Sequence, residues 1–223
     1  MIGPRARIRA YLWHPKRRFG SVVRERYGYL GPDVLDALFA NYKMAMSVDL
    51  VARLDRLCRE LRPRLVVEFG SGVSTIAMQA ALAGTGGRLV TVEESIEWLS
   101  WTAGRIRDRD GLLFVACEEP AGPHEALGAI LGSSRRADLL VVDGPSRGNR
   151  FTGAAFQVYD VLAGPETVWA IDDTHRPEND EAAARIAARM SLRKLDYGDP
   201  VGSERRFAIL VPNGVDGAAV DGG

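Results

Sequence analysis

The chain has 223 residues with balanced charge, 29 basic and 29 acidic side chains, and 46% of its residues are apolar. This composition is typical of a folded globular protein and excludes a disordered chain, a collagen-like repeat and a coiled coil. No apolar run reaches the length of about 18 residues that a membrane-spanning helix needs. Two cysteines, Cys58 and Cys117, are too few for a disulfide framework. The N-terminus lacks the apolar segment of a secretory signal, so we expect a cytoplasmic protein built around one large domain.

The first thirty residues carry an excess of positive charge. Eight arginine and lysine residues stand there against a single acid, Glu25, with aromatic residues between them. Such a segment could contact nucleic acid, an anionic membrane surface or an acidic substrate, or it could be a solvated arm or a dimer contact. We expect residues 1–46 to form a lid over an acceptor site or to join two copies of the chain in a homodimer. Residues 213–223 are predicted to be a disordered tail.

From residue 47 onward, short apolar strands alternate with amphipathic helices. The predicted elements in chain order are helix 47–61, strand 65–69, helix 74–83, strand 88–92, helix 95–107, strand 112–116, helix 123–131, strand 137–142, helix 153–162, strand 167–171, helix 178–190, strand 192–197 and strand 206–211. Continuously apolar strands separated by helices indicate a parallel sheet that is covered on both faces. We therefore predict a doubly wound, Rossmann-like α/β domain over residues 47–212, whose seven-stranded sheet ends in an antiparallel hairpin.

A glycine-containing turn follows the first predicted strand, with the sequence Glu68-Phe69-Gly70-Ser71-Gly72-Val73-Ser74-Thr75. Two glycines separated by one residue allow a tight strand-to-helix turn and let a ligand approach the main chain. Hydroxyl and N–H groups at the start of the next helix can cap that helix or bind an anion. Glu93 ends the second strand, where an acid can accept hydrogen bonds from both hydroxyls of a ribose. The two features together predict a cofactor that contains a nucleoside.

The choice of cofactor depends on two further features of this turn. Ser74 and Thr75 stand where a nicotinamide-binding turn has its third glycine, and Glu68 would repel a pyrophosphate but suits the ammonium group of a methionine. In these residues, and over residues 47–212 as a whole, the chain resembles the class I S-adenosylmethionine-dependent methyltransferases. The resemblance implies S-adenosylmethionine as the cofactor and places an adenine contact after the third strand. The cofactor-binding residues that it implies are Glu68, Gly70, Ser71, Gly72, Ser74, Glu93, Glu118 and Asp143.

Three carboxylates follow the fourth and fifth predicted strands. Asp143 ends the fourth strand, and Asp172 and Asp173 end the fifth. Because neighbouring parallel strands end at one edge of a sheet, we expect these acids to cluster, and their repulsion then requires a cation, a proton or an arginine. A hard divalent cation is the simplest solution. The arrangement is similar to that of the catechol and caffeoyl-coenzyme A O-methyltransferases. That resemblance implies Mg²⁺ or a similar ion, bound by all three aspartates, which activates the acceptor hydroxyl.

The candidate catalytic residues are Asp143, Arg147 and His175. The catechol-type enzymes have a lysine as a candidate base shortly after the first aspartate, whereas this chain has Arg147. Arginine stays protonated, so Arg147 is better suited to bind an anionic substrate. His175 stands beside the acidic pair and is the alternative base. Arg176 could neutralise the acids, which would argue against a metal.

The sequence therefore predicts a methyltransferase that moves the methyl group of S-adenosylmethionine to a hydroxyl of a small molecule with the help of a divalent cation. Three alternatives stay open: an NAD-linked oxidoreductase, a nucleic-acid-directed protein with a methyltransferase fold, and a methyltransferase that acts on an amine. The basic segment has no recognisable RNA-binding module, which counts against a nucleic-acid partner.

Overall fold

The computed structural model describes residues 15–41, 46–117, 136–144, 150–198 and 205–215. Two candidate site residues, Glu118 and Arg147, lie outside these ranges, as does the helix predicted at 123–131. Of the predicted tail, residues 213–215 are described, and they form a turn. Among the helices in these ranges, none is long and apolar enough to cross a membrane.

Seven strands form a single sheet. In chain order they are β1 (Leu65–Phe69), β2 (Arg88–Glu93), β3 (Leu112–Ala116), β4 (Leu139–Val142), β5 (Val168–Ile171), β6 (Leu192–Gly198) and β7 (Arg206–Pro212). The spatial order is β3-β2-β1-β4-β5-β7-β6; β1 to β5 pair in parallel, and β7 runs antiparallel to both β5 and β6. The order reverses between β1 and β4. Ligands of open α/β sheets bind outside the carboxyl ends of the strands at such a switch point.

Helices cover both faces of this sheet. The described ones are α1 (Pro15–Tyr27), α2 (Pro32–Asn41), α3 (Val48–Leu61), α4 (Val73–Leu82), α5 (Ile96–Ala103), α6 (Gly153–Leu162) and α7 (Pro177–Met190), with a 3₁₀ turn over Gly28–Leu30. Successive strand residues point to opposite faces, so Val66 packs with α1 to α4 in one core and Val67 packs with α6 and α7 in the other. The predicted fold class, a doubly wound α/β sheet with a C-terminal antiparallel hairpin, is confirmed.

Helix α5 is shorter than its sequence pattern predicts. The pattern extends to Arg107, whereas the helix ends at Ala103. Gly104 follows, and glycine is a poor residue for continuing a helix. The carbonyl of Ala103 then accepts hydrogen bonds from the N–H of Ile106 at 3.3 Å and from Nη2 of Arg109 at 2.6 Å. The chain is thereby drawn into a turn that leads to β3.

Helices α1 and α2 belong to the same core as α3 and α4. Val23, Leu30 and Leu38 are buried in that core. The hydroxyl of Tyr27 donates a hydrogen bond to Oδ1 of Asp49 in α3, at 3.1 Å. The described part of the N-terminal segment therefore packs on one helical face of the sheet, and its role as an acceptor lid stays a prediction.

Candidate functional site

The turn between β1 and α4 lies directly against the turn that follows β4. Gly70 has a φ of 94°, and a Cβ on it would lie 2.9 Å from the backbone nitrogen of Gly144. A Cβ on Gly144 would likewise lie 2.9 Å from the backbone nitrogen of Gly70. The carbonyl of Phe69 accepts hydrogen bonds from the N–H groups of Asp143 and Gly144, at 2.9 and 2.7 Å. The two turns thus meet backbone to backbone at the switch point, where only glycine fits on both sides.

Glu68 supports the glycine turn from inside the protein. Its carboxylate is fully buried and accepts hydrogen bonds from the hydroxyls of Ser74 at 2.5 Å, Thr75 at 2.7 Å and Thr91 at 2.9 Å. Burial raises the pKa of Glu68 to about 7, although the three hydroxyl groups act in the opposite direction. Its observed partners are hydroxyls of the protein itself, so Glu68 positions the start of α4. A direct contact with the cofactor, predicted for both Glu68 and Ser74, stays a prediction.

Glu93 lies at the end of β2, beside the same turn. Its Oε2 accepts hydrogen bonds from the N–H of Ser71 at 2.6 Å and from the hydroxyl of Ser71 at 2.8 Å. Its Oε1 accepts one from the N–H of Ser95 at 2.8 Å. A carboxylate has about four acceptor positions, so a ribose hydroxyl can use the remaining one, and a second if the Ser71 hydroxyl rotates away. The fold therefore brings the predicted ribose acid to the Gly-x-Gly turn.

Trp98 belongs to no motif in the sequence, yet the structure places it against this turn. Its indole N–H donates a hydrogen bond to the carbonyl of Ser71. A Cβ on Gly72 would lie 3.3 Å from its Nε1. Its ring stacks on that of Trp101, with centroids 4.7 Å apart and an interplanar angle of 4°. The spacing of two tryptophans by three residues on α5 is the one sequence signal that could have indicated this contact.

The three predicted carboxylates do come together. Oxygens of Asp143, Asp172 and Asp173 lie within 4.8 Å of one another at the carboxyl ends of β4 and β5. Burial raises the pKa of Asp143 and of Asp172, the negative charge of Asp173 raises both further, and Arg150 opposes the rise. The buried Oδ1 of Asp172 accepts no hydrogen bond from the residues that the structure describes. The cluster is therefore an electrostatically costly arrangement that needs positive charge close by.

Arg150 supplies part of that charge, and no motif in the sequence indicates it. Its side chain is 4% exposed, and its Nη2 lies 2.9 Å from Oδ2 of Asp173 and 3.3 Å from Oδ1 of Asp143. The carbonyl of Arg150 accepts a hydrogen bond from the hydroxyl of Tyr159 in α6 at 3.0 Å. In the sequence, Arg150 is one of several arginines that stand shortly before a helix. The direction of its side chain depends on tertiary packing.

His175 and Arg176 flank the acidic pair on its more exposed side. Nδ1 of His175 lies 3.8 Å from Oδ1 of Asp173, beyond hydrogen-bond distance, and the imidazole is 34% exposed. Nη2 of Arg176 lies 3.4 Å from Oδ2 of Asp173, with its side chain 41% exposed. His175 is thus accessible to a ligand next to the carboxylates, and its role as the base stays a prediction. The roles of Glu118 and Arg147 stay predictions.

No protein-family model and no curated protein matches the chain by sequence. Solved structures match it by shape. The O-methyltransferase TomG from Streptomyces achromogenes, involved in tomaymycin synthesis and solved with S-adenosylmethionine, aligns with a TM-score of 0.64 and 19% identity, over 89% of this chain and 99% of that chain. An O-methyltransferase from Bacillus cereus, solved with S-adenosylhomocysteine, aligns with a TM-score of 0.67 and 18% identity, over 86% and 96%. The chain has the class I methyltransferase fold.

A third structure with the methyltransferase fold bears on the resemblance found in the sequence. A candidate caffeoyl-CoA O-methyltransferase from Staphylococcus aureus aligns with a TM-score of 0.64 and 8% identity, over 86% of this chain and 98% of that chain. The predicted resemblance is thereby confirmed at the level of the fold. Within this methyltransferase fold, the glycine turn, Glu93 and the three aspartates all lie at the carboxyl edge of the parallel strands.

Proposed function

We propose that the protein is an S-adenosylmethionine-dependent O-methyltransferase that acts on a hydroxyl group of a small molecule. The observation that carries this proposal is the position of the Glu93 carboxylate, 2.6 Å from the backbone nitrogen of Ser71 in the Gly-x-Gly turn. This pairing joins an acceptor for ribose hydroxyls to a backbone that a ligand can approach closely. Neighbours of the same fold that are O-methyltransferases solved with S-adenosylmethionine or S-adenosylhomocysteine support it.

The order of the strands suggests how the cofactor lies. Strand β1 stands between β2 and β4, so a ligand whose ribose is at Glu93 extends across Gly70 towards Asp143. The sulfonium centre of S-adenosylmethionine is positive, and the acidic cluster at Asp143 favours that charge. Glu93 would thus hold the adenosine at the end of β2, and the acids after β4 and β5 would lie on the side of the reactive methyl group.

The acceptor hydroxyl then lies between the methyl group and His175. Its oxygen attacks the methyl carbon, the bond between carbon and sulfur breaks with both electrons going to sulfur, and His175 takes the hydroxyl proton. The products are a methyl ether and S-adenosylhomocysteine. The protein accelerates this displacement chiefly by aligning the two reactants and excluding water. Arg147 is proposed to hold a negative group on the acceptor.

The divalent cation expected from the sequence does not fit the described side chains as they stand. Asp143, Asp172 and Asp173 offer the carboxylate oxygens that Mg²⁺ prefers, and the free Oδ1 of Asp172 would suit it. Arg150, however, already contacts Asp143 and Asp173, and Arg176 contacts the same Oδ2 of Asp173. The proposed reaction therefore proceeds without a metal.

Calorimetric titration of S-adenosylhomocysteine into the full chain tests the cofactor assignment. We expect saturable binding, and we expect NADH to give no heat under the same conditions. Transfer of a labelled methyl group from S-adenosylmethionine to a panel of hydroxyl and amine acceptors then tests the acceptor class. Binding of NADH without binding of S-adenosylhomocysteine would overturn the proposal in favour of an oxidoreductase, and labelling of amines alone would overturn its acceptor class.

A further inference from the structure

Arg150 is held in place by the core rather than by the solvent-exposed surface. Its neighbour in space, Tyr159, is 2% exposed and makes edge-to-face ring contacts with Phe69 of β1 at 5.2 Å and with Trp169 of β5 at 5.9 Å. The Tyr159 hydroxyl fixes the backbone carbonyl of Arg150. The backbone of Arg150 is therefore held by a tyrosine that also packs against β1 and β5.

The guanidinium of Arg150 joins the ends of two strands. Nη2 lies between Oδ2 of Asp173 and Oδ1 of Asp143, at 2.9 and 3.3 Å, and Nη1 lies 3.4 Å from the carbonyl of Asp172. A planar guanidinium can contact several oxygens at once, which the single ammonium of a lysine does less well. Asp143 follows β4 and Asp172 and Asp173 follow β5, so this one side chain links the acids of both strands.

A divalent cation bound by the same acids would compete with this contact. Such an ion approaches carboxylate oxygens to about 2.0–2.6 Å, and it would stand next to the guanidinium, which repels it. Arg176 adds a second positive charge at Asp173, and Arg205 adds a third that favours the charged form of Asp143. In the described residues, guanidinium groups thus already contact the carboxylates of Asp143 and Asp173, whereas Arg150 reaches Asp172 only at its backbone carbonyl.

We infer that the guanidinium of Arg150, and not a divalent cation, offsets the repulsion between Asp143 and Asp173 and positions their carboxylates. Arg150 is in this sense a positioning residue, and its guanidinium prevents a divalent cation from binding the acidic cluster. The inference concerns the charge balance of the cluster and does not require methyl transfer. One consequence of it does rest on the proposed function: methyl transfer should proceed when EDTA removes divalent cations.

Titration with Mn²⁺, followed by the electron paramagnetic resonance signal of the free ion, tests this inference on the full chain without any cofactor. We expect no saturable binding to the unaltered protein at millimolar concentrations. Arg150→Gln removes the competing charge, so we expect it to bind one Mn²⁺ with an affinity at least about tenfold higher. Arg176→Gln is the matched control, because this arginine is half exposed and contacts one aspartate only, and we expect a smaller gain from it.

Two further variants, Arg150→Lys and Asp172→Asn, test the inference if Arg150→Gln fails to fold. Arg150→Lys retains the positive charge, so we expect it to exclude Mn²⁺ as the unaltered protein does, with a lower unfolding temperature. Stoichiometric binding of Mn²⁺ by the unaltered protein, lost in Asp172→Asn, would overturn the inference. These readouts involve no methyl transfer. Failure of S-adenosylhomocysteine to bind would therefore contradict the proposed function and leave the Arg150 result standing.

Discussion

The hydrogen bonds of Glu93 lead to opposite predictions for two variants. Its carboxylate accepts three hydrogen bonds from the protein, two of them from Ser71. Glu93→Ala removes the carboxylate that is proposed to accept hydrogen bonds from the ribose hydroxyls. A hydrogen bond to a charged group contributes about 1.5–3 kcal/mol, and one acceptor position of Glu93 is open to the ribose, so its loss costs at least about 1.5 kcal/mol. That corresponds to an affinity for S-adenosylhomocysteine that is lower by about tenfold or more.

Ser71→Ala should act in the other direction. The Ser71 hydroxyl occupies an oxygen of Glu93 that the ribose needs, whereas its backbone N–H, at 2.6 Å, is kept in the variant. The bond that the ribose would gain is to a charged group and contributes about 1.5–3 kcal/mol. We therefore expect affinity for S-adenosylhomocysteine to be unchanged or to rise by about tenfold or more.

Calorimetric titration at a temperature below the unfolding transition of each variant measures both effects. Glu97→Ala serves as the matched control, because Glu97 is an exposed acid on the same segment, and we expect its affinity to equal that of the unaltered protein. The reasoning would be refuted if Ser71→Ala weakened binding as much as Glu93→Ala, or if Glu93→Ala left binding unchanged. The first result would mean that the serine hydroxyl itself contacts the cofactor.

Three further predictions concern the glycine contact, the buried acid and the candidate base. Gly144→Ala places a Cβ 2.9 Å from the backbone of Gly70, so we expect thermal unfolding to show a free energy of unfolding that is lower by about 1–3 kcal/mol. Gly153→Ala is the control: its Cβ would meet nothing within 4 Å, so it should not destabilise the protein. Burial raises the pKa of Glu68 to about 7, so the folded state holds that proton more tightly than the unfolded chain. The contribution of Glu68 to the free energy of unfolding is therefore fully present below its ordinary pKa and falls by roughly 3 kcal/mol as pH rises through 7; urea unfolding at several pH values should show this fall, and Glu68→Gln should flatten it. His175→Gln should lower kcat by about 10²–10⁴-fold with unchanged affinity for S-adenosylhomocysteine, and an unchanged kcat would exclude the histidine as the base.

The sheet could be predicted from sequence because each of its parallel strands is a short apolar run. All five residues of Leu65–Phe69 are buried, and the predicted bounds of this strand are those of β1. The same rule predicts the cluster of aspartates, since parallel strands end at one edge. Helix α5 ends early because Gly104 follows it and because the N–H of Ile106 and the side chain of Arg109 bind its last carbonyl; the glycine was a signal in the sequence, whereas the Arg109 contact was not.

The charge balance of the acidic cluster could not be predicted from the positions of residues after strands. Asp143, Asp172 and Asp173 are recognisable by their place after a strand, whereas Arg150 has no such position. The position of its backbone depends on Tyr159, which lies in another element and packs against aromatic rings of β1 and β5. A guanidinium in a connecting segment becomes part of a site only through such tertiary contacts, and sequence spacing alone does not contain them.

The stacked indoles of Trp98 and Trp101 give the protein an optical reporter at the glycine turn. Two parallel chromophores at 4.7 Å couple their electronic transitions, and the Trp98 N–H is bonded to the carbonyl of Ser71. Any ligand that moves that carbonyl changes the environment of one ring and the overlap of both. The conformation of the glycine turn therefore contributes to the near-ultraviolet circular dichroism and the tryptophan emission of the unlabelled chain, alongside Trp13 and Trp169.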